Sequence, residues 1–589
     1  MSFRVSSRSL AAFAALMLSA PLAAQQQRAT ITAADYDRAE QYLTYKAAPL
    51  VFGAGVRPTW MPDERFWYRN ATPKGSEFVL VDPVRRARSQ PFDQIKLALA
   101  MSAASDTTFD PARLPFTQFE WSSDAKAITF DAGGRKWSCD VSGTKCTVEA
   151  TAGGRRGGAA RASANNFVAS PDGKRAAFIR DWNLWVRDVA SGKETQLTAD
   201  GVKDFGYATD NAGWTKSDRP IVLWSADSKK IATFQQDQRG VGEMYLVSTK
   251  VGHPALEAWK SPLPGDSIVA MIHRVVIEVD APRVIRLRMP PDQHRSTLCD
   301  HILCRGEWAD VEWSADASKL AFVSTSRDHK REQFRVADAA TGEVRDVFDE
   351  TVPNFFESGN GRVNWHTLWT TNEVLWFSER DDWGQLYLYD LTTGKLKNKI
   401  TTGEGNVLQV LRVDEKTRTI WFTGAGREAG RDPYFRHLYR VGLDGKRLAL
   451  LTPEDADHEV SLSPGGRWFV DSYSRPEVPP VAVLRDAEGK LVLTLEKSDI
   501  AKLVATGWTP PMPFTTKARD GKTDLYGLMF RPTSFDSTKR YPIINHIYPG
   551  PQTGSVGSRS FSAARGDTRA LAELGFIVIE LDAMGTPYR

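Results

Sequence analysis

The sequence contains no long run of basic residues and carries only a small formal charge. Lys and Arg total 76 and Asp and Glu total 72, which leaves +4 on 589 residues. A balance this close to neutral gives no electrostatic reason to expect a nucleic-acid partner. We therefore predict that the protein does not act on nucleic acid.

Long apolar runs are also scarce, and the only candidate lies at the N-terminus. Arg4 and Arg8 form a basic start, Leu10–Leu18 is apolar, and small residues precede Gln25. A run of this length is too short for a membrane anchor, which is the alternative, because a spanning helix needs about 20 apolar residues. The pattern predicts a cleaved signal peptide at residues 1–24, a periplasmic or secreted protein, and no membrane association after cleavage.

Cysteine is rare, with four residues in two close pairs. Cys139 and Cys146 flank a predicted hairpin turn, and Cys299 and Cys304 lie near two histidines, His294 and His301. In an exported protein an even number of cysteines favours disulfides. A metal site is the alternative for the second pair, but its spacing matches no zinc motif. We predict two disulfides, no metal and no cofactor.

Aromatic residues are plentiful, with 18 Trp and 28 Phe, and many belong to a recurring element. The element is a Trp or Ser, a turn with Asp or Gly, and then a short hydrophobic strand. Its eight copies, four of them weaker, begin at Trp60, Trp121, Ser170, Trp224, Trp313, Thr371, Val413 and Ser463. Hairpins repeated every ~40–60 residues are typical of propeller blades. The prediction is an all-β propeller of about eight blades over residues 50–503; an array of β-sandwiches is the alternative.

The pattern differs on either side of this region. Residues 25–49 are predicted to form a helical segment with a helix over 33–43, for which Thr32 is a suitable N-cap. After about Leu503, apolar strands at 524–532, 541–551 and 576–582 surround a helix at 568–574. Strand, helix and strand with continuous apolar runs indicate a parallel α/β sheet over residues 504–589.

At these residues the sequence resembles the prolyl oligopeptidase clan of serine peptidases (the S9 family), in particular its dipeptidyl peptidase IV branch. The resemblance covers the propeller repeats, the turn Tyr-Pro-Gly-Pro-Gln that begins at Tyr548, and the stretch Leu-Asp-x-x-Gly-Thr that begins at Leu581. It implies an α/β-hydrolase domain that caps the propeller and a serine exopeptidase that cleaves short peptides. It also implies a possible homodimer when the protein is full length.

The catalytic serine of that family lies in a Gly-x-Ser-x-Gly turn, followed by Asp and then His. The sequence contains no such turn, and Gly554-Ser555-Val556-Gly557 has the wrong spacing. We therefore expect a chain truncated within an incomplete hydrolase domain, without the Ser, Asp and His of the triad and inactive as given. The alternative function is a non-catalytic propeller that binds a peptide or protein partner.

The resemblance assigns roles to few of the residues present. Tyr548 matches the tyrosine that donates a hydrogen bond in the oxyanion hole, and a packing aromatic residue is the alternative. Thr209 and Asp210 stand where dipeptidyl members carry two glutamates that hold the substrate's amino group, which puts strict dipeptidyl specificity in doubt. Asp210 alone could bind an N-terminus or be a turn residue. His546 is expected to be a buried strand residue rather than a catalytic base.

Overall fold

The computed structural model describes residues 31–149, 166–209, 218–249, 251–293, 303–304, 307–308, 310–356, 365–548 and 554–586. The predicted signal peptide therefore lies outside the described residues. Helix α1 (Ala33–Glu40) begins the described chain, and the Asp35 carboxylate accepts a hydrogen bond of 2.8 Å from the Thr32 N–H, as an N-terminal capping arrangement requires. A short helix α2 (Thr44–Ala47) and a 3₁₀ turn (Ala48–Leu50) follow.

Eight antiparallel sheets follow one another along the described residues, and seven of them have four strands in chain order. The first four-stranded sheets contain β1 (Thr59–Trp60), β2 (Phe66–Thr72), β3 (Gly75–Asp82) and β4 (Ala87–Ser89); β5 (Glu120–Trp121), β6 (Ala127–Ala132), β7 (Arg135–Asp140) and β8 (Cys146–Glu149); and β9 (Val168–Ala169), β10 (Arg175–Arg180), β11 (Asn183–Asp188) and β12 (Glu194–Gln196). Helix α3 (Gln94–Ala103) and a 3₁₀ turn (Pro111–Arg113) connect the first sheet to the second.

The fourth sheet is larger and carries a separate hairpin. Its strands are β13 (Phe205–Tyr207), β14 (Leu223–Trp224), β15 (Lys230–Asp237), β18 (Met271–Glu278), β19 (Arg283–Arg286) and β20 (Asp292–Gln293). The hairpin of β16 (Glu243–Ser248) and β17 (Ala255–Lys260) leaves the sheet between β15 and β18, and a second small hairpin pairs β21 (Leu303–Cys304) with β22 (Glu307–Trp308).

The remaining four-stranded sheets complete the series. They contain β23 (Val311–Trp313), β24 (Lys319–Thr325), β25 (Arg331–Asp338) and β26 (Val344–Thr351); β27 (His366–Leu368), β28 (Glu373–Ser378), β29 (Gln385–Asp390) and β30 (Leu396–Lys399); β31 (Asn406–Asp414), β32 (Thr419–Ala425), β33 (Arg436–Gly442) and β34 (Ala449–Leu450); and β35 (Asp457–Leu462), β36 (Trp468–Arg475), β37 (Val478–Asp486) and β38 (Leu491–Lys497).

The recurring sequence element forms the turn between the first two strands of each four-stranded sheet, and the turn between β14 and β15 in the fourth sheet. In the fourth sheet Ser225 Oγ donates to Asp227 (2.6 Å), and the same carboxylate accepts from the Lys229 N–H (3.1 Å). Ser228 has a left-handed φ of +60°, and Ser225 Oγ then accepts from the Lys230 N–H (2.9 Å). The short polar side chains thus accept hydrogen bonds from turn N–H groups that have no partner in the β-ladder. This explains why Ser and Asp recur at these positions.

Neighbouring sheets pack face to face, and the last sheet packs against the first. Phe66 and Tyr68 of β2 share one hydrophobic core with Val470 of β36 and Leu484 of β37. The indole N–H of Trp60 donates to Ser461 Oγ across the same junction (3.0 Å). Similar cores join the first sheet to the second, the third to the fourth, and each later sheet to the next. Within the described residues these cores cover every junction except the one between the second and third sheets, and the contact of the last sheet with the first makes the series a ring.

A mixed sheet follows the ring. Helix α4 (Ala501–Val504) leads into β39 (Met512–Lys517), β40 (Asp524–Phe530), β41 (Ile543–His546), helix α5 (Thr568–Glu573) and β42 (Ile577–Leu581). The sheet order is β39-β40-β42-β41, and β41 pairs with β42 in parallel, as predicted. The other pairs are antiparallel, and β42 alternates between buried and half-buried residues instead of being buried throughout.

The mixed sheet packs against both the ring and the first helix. Ala39 and Tyr42 share a core with Trp508 and Ala570 of α5. Tyr434, from the loop between β32 and β33, enters the core of the mixed sheet beside Phe530 and Val578. Among the described helices, none combines the length and the apolar composition that crossing a membrane requires.

Candidate active site

Tyr548 lies just beyond the C-terminal end of β41. Its side chain is 63% exposed, and its hydroxyl group makes no hydrogen bond to the described residues. Its backbone N–H donates a hydrogen bond to Ser555 Oγ. Within the described residues the phenol is therefore exposed at the carboxyl end of a parallel strand, and its role in the oxyanion hole stays a prediction.

His546 is the last residue of β41 and is exposed, so the expectation of a buried strand residue is wrong. Within the described residues β41 pairs only with β42 and forms the edge of the sheet. Both faces of an edge strand can remain open, and the apolar sequence around His546 does not reveal this. No described contact gives His546 a catalytic partner.

Asp582 lies directly after β42 and binds the backbone at Ser555 and Val556. Its buried carboxylate accepts hydrogen bonds from the backbone N–H groups of Ser555 and Val556, the latter at 3.0 Å. Gly554 approaches so closely that a Cβ there would lie 2.8 Å from both carboxylate oxygens. Only glycine fits this position without displacing Asp582.

Tyr434 supplies the third donor to Asp582, and it comes from the ring of sheets. Its hydroxyl group donates to Asp582 Oδ2 at 2.7 Å, and its ring stacks 5.2 Å from the buried guanidinium of Arg559. Burial, followed by the nearby Asp582 charge, raises the pKa of Tyr434. The phenol thus remains protonated and remains a donor. The sequence pattern gave no signal for this residue, which lies 148 positions from its partner.

Thr209 lies on the stem of a loop that interrupts the inner strand of the fourth sheet. β13 and β14 both pair with β15, and Ala208 and Thr209 directly follow β13. The Ile221 N–H closes the stem on the Ala208 carbonyl oxygen at 2.9 Å. Thr209 is 6% exposed, and its Oγ1 has no hydrogen-bond partner among the described residues. Asp210 lies outside the described residues.

The described contacts do not join Thr209 to Tyr548. Tyr548 belongs to the mixed sheet and Thr209 to the fourth sheet of the ring, and no hydrogen bond between them is present in the described part of the chain. Their joint role in binding one substrate therefore stays a prediction.

The Cys139–Cys146 disulfide is confirmed. The two residues are direct partners in the register of β7 and β8, with Cα atoms 4.1 Å apart. The Cys299–Cys304 pairing stays a prediction, because Cys299 and the Cys304 side chain lie outside the described residues.

One cluster has the donor types of a metal site, but an arginine neutralises it. Glu454, His458 and Asp471 place ligand atoms within 4.8 Å of one another. Arg485 donates to Asp471 at 2.8 Å and to Glu454 at 2.6 Å. His458 uses both ring nitrogens, on Asp471 and on the Glu454 carbonyl oxygen. A cation here would face the guanidinium, so the cluster acts as an internal ion network.

The ring of packed antiparallel sheets places the chain in the class of β-propeller proteins. The family profile described as "Dipeptidyl peptidase IV (DPP IV) N-terminal region" matches residues 120–480. The chain belongs to this dipeptidyl peptidase family of the S9 peptidases.

Individual relatives agree with this membership. A protein described as "Probable dipeptidyl-aminopeptidase B" from Aspergillus oryzae is 27% identical over 457 residues, which cover 71% of this chain and 48% of the relative. The protein of the same description from Emericella nidulans is 26% identical over 458 residues, with the same coverage. The chain thus spans about half the length of the curated relatives that it matches.

A solved structure supports the fold. Porphyromonas gingivalis dipeptidyl peptidase 4 superposes with a TM-score of 0.64 at 18% identity, covering 92% of this chain and 73% of that one. At this identity the likeness concerns the fold alone.

Proposed function

We propose that the natural gene product is a serine-type exopeptidase of the dipeptidyl peptidase kind that acts on short peptides. The observation that carries the proposal is Tyr548, an exposed phenol fixed at a strand end in a member of this family. Its hydroxyl group would donate to the oxyanion of the tetrahedral intermediate, where charge develops during acyl transfer. A seryl nucleophile with a histidine base would form the acyl-enzyme.

We propose further that these 589 residues alone do not hydrolyse peptides, because they contain no Gly-x-Ser-x-Gly turn. The test compares the 589-residue polypeptide with the natural gene product on Ala-Pro and Gly-Pro p-nitroanilides. We expect no turnover by the polypeptide and clear turnover by the gene product. Hydrolysis by the polypeptide would contradict the first expectation, and an inactive gene product would favour a peptide-binding propeller.

Tyr548→Phe in the active gene product tests the role of the phenol. The loss of one oxyanion donor is expected to lower kcat about 10²–10³-fold with little change in KM. Ser555 and Asp582 hold the backbone and not the phenol ring, so the substitution leaves the loop intact. An unchanged kcat would remove Tyr548 from the mechanism.

We propose that the substrate's amino group binds near Thr209 and Asp210, and that the Asp210 carboxylate pairs with it. A carboxylate stabilises an ammonium group by charge-assisted hydrogen bonds. Asp210→Asn is expected to raise KM for peptides with a free N-terminus, whereas Thr209→Val is expected to change KM less. N-acetylated peptides are the control, and equal cleavage of both peptide forms would contradict exopeptidase action.

We also propose that two copies associate through the hairpin β16–β17. Tyr245, Leu246, Val247 and Leu256 are 61%, 54%, 56% and 66% exposed. A two-stranded hairpin with open apolar faces is only marginally stable in water, which supports an additional partner surface. Val247→Glu with Leu256→Glu, a cross-strand pair, is expected to convert a dimer to a monomer in light scattering, unlike Leu396→Glu on β30. A monomeric unsubstituted protein would contradict the proposal.

Two further proposals concern the whole chain. The eight sheets and their side-chain closure support a propeller of eight blades. The N-terminal pattern supports export with cleavage before Gln25, and N-terminal sequencing of the secreted or periplasmic protein tests it.

A further inference from the structure

A chain of hydrogen bonds connects the propeller to the backbone of Tyr548. The Tyr434 hydroxyl group donates to Asp582 at 2.7 Å. Asp582 accepts from the Ser555 N–H, and Ser555 Oγ in turn accepts from the Tyr548 N–H. Three consecutive links thus lead from the loop between β32 and β33 to the candidate oxyanion residue.

The central link is a buried carboxylate whose described hydrogen-bond donors are all neutral. Asp582 is 2% exposed, and its donors are the Tyr434 hydroxyl and the N–H groups of Ser555 and Val556. A buried carboxylate needs these hydrogen-bond donors, because the loss of any donor leaves part of its negative charge without a partner. The removal of the Tyr434 hydroxyl group would therefore shift Asp582 and the amides that depend on it.

The segment after Ser555 is also held from its opposite side. The Arg565 guanidinium donates to the Val556 carbonyl oxygen and to the Ser558 carbonyl oxygen, the latter at 3.0 Å, and pairs with buried Glu580. The N–H groups bind Asp582 while the carbonyl groups bind Arg565. The backbone between Ser555 and Ser558 therefore has little freedom, and a change at Asp582 is transmitted along the chain.

We infer that Tyr434 and Asp582 are positioning residues that fix the backbone of Tyr548 for oxyanion binding, so that the propeller contributes directly to the geometry of the catalytic tyrosine. The inference rests on the proposed function of Tyr548. It adds a role for a propeller side chain beyond enclosing the substrate. Small displacements of a catalytic group lower rates strongly, since about 1 Å can cost about 10²-fold.

Hydrogen exchange measured by mass spectrometry on the 589-residue protein tests the physical link without any activity. Tyr434→Phe keeps the ring on Arg559 and removes only the hydroxyl group. The matched control is Tyr439→Phe on β33, which removes a buried hydroxyl group that donates to Glu428 at 2.9 Å inside the propeller. Tyr434→Phe is expected to raise exchange at Ser555 and Val556 about tenfold. Equal protection in both variants would overturn the inference.

Kinetics of the natural gene product test the catalytic consequence. Tyr434→Phe is expected to lower kcat about tenfold to a hundredfold with KM unchanged, whereas Tyr439→Phe leaves both near the unsubstituted values. Parallel losses in the two variants would show a general structural effect and overturn the inference. If the unsubstituted product hydrolyses no peptide, the proposed function fails, and the exchange measurement still decides whether Tyr434 holds the Ser555 backbone.

Discussion

The completely buried guanidinium of Arg559 lies 3.2 Å from a carboxylate oxygen of Asp432 and joins the mixed sheet to the propeller. The contact is an ion pair without the directed geometry of an Nε hydrogen bond. Burial raises the pKa of Asp432 and lowers the pKa of Arg559. Both directions show that removal from water outweighs the attraction between the partners, so the pair gives the junction its alignment more than its stability.

The first prediction concerns this pair. Arg559→Met is expected to destabilise the protein by about 3 kcal/mol, because it leaves the half-buried Asp432 carboxylate without its cation. Combining Arg559→Met with Asp432→Asn, which keeps an acceptor for the Tyr434 N–H, is expected to recover part of the lost unfolding free energy. Urea unfolding of the two single variants and the double variant measures the coupling. Additive losses would show that the two charges do not interact.

The second prediction compares two arginines of the fourth sheet. Arg274 is 4% exposed and pairs with Asp292 at 2.8 Å and Asp310 at 2.9 Å, whereas Arg283 pairs with Glu278 at the surface. Burial acts to lower the pKa of Arg274, but the two aspartates raise it above its usual value. Arg274→Met is expected to lower the free energy of unfolding by about 3–5 kcal/mol, and Arg283→Met by less than about 1 kcal/mol. Similar losses of unfolding free energy in the two variants, measured by urea unfolding, would contradict this prediction.

The third prediction concerns acid stability. Burial and then the His458 charge lower the pKa of His437 from 6.5 to about 4. The unfolded chain therefore binds a proton on His437 below pH 6.5, while the folded protein resists it until about pH 4, so stability falls as the pH falls through this window. His437→Gln is expected to reduce this loss, which is at most about 3 kcal/mol, in urea unfolding at several pH values.

His366 provides a control of opposite sign for this experiment. Burial acts to lower its pKa, but the hydrogen bond and charge of Glu312 raise it overall. The stability that His366 adds to the folded protein is therefore present at low pH and is lost as the pH rises through its raised pKa. His366→Gln is therefore expected to lower stability more at low pH than at high pH. The same direction of change in both histidine variants would contradict these assignments.

The fourth prediction concerns the disulfides. Cys139→Ala with Cys146→Ala is expected to destabilise the protein by about 2 kcal/mol, because the bridge closes a short loop in the unfolded chain. Intact-mass analysis after alkylation counts free thiols in the unsubstituted protein. We expect none if the sequence-based pairing of Cys299 with Cys304 also holds, and two modified cysteines would reject that second bridge.

Local chemistry made much of the fold predictable. All eight copies of the recurring element lie in a turn between two paired strands of a sheet, and in copies such as Ser225–Asp227 the Ser and Asp side chains bind the turn backbone within five residues. The capping of α1 by Thr32 and Asp35 and the parallel pairing of β41 with β42 follow from equally local signals.

The candidate site was less predictable because its contacts are distant in sequence. The resemblance identifies Tyr548 from the motif that it begins, but its link to Tyr434 depends on contacts between two distant segments of the chain. The exposure of His546 depends on which strand forms the edge of the sheet, and strand composition does not encode this. Arg485 of β37 likewise pairs with Glu454, although no sequence motif connects the two residues.

The packing of α1 on α5 has a consequence for biosynthesis. Arg38 donates to the Glu573 carbonyl oxygen across 535 residues, so the first helix leaves the ribosome long before its native partner is made. At ~5–20 residues per second this delay is roughly half a minute to two minutes. Helix α1 therefore cannot make its native contact with α5 until Glu573 has been synthesised.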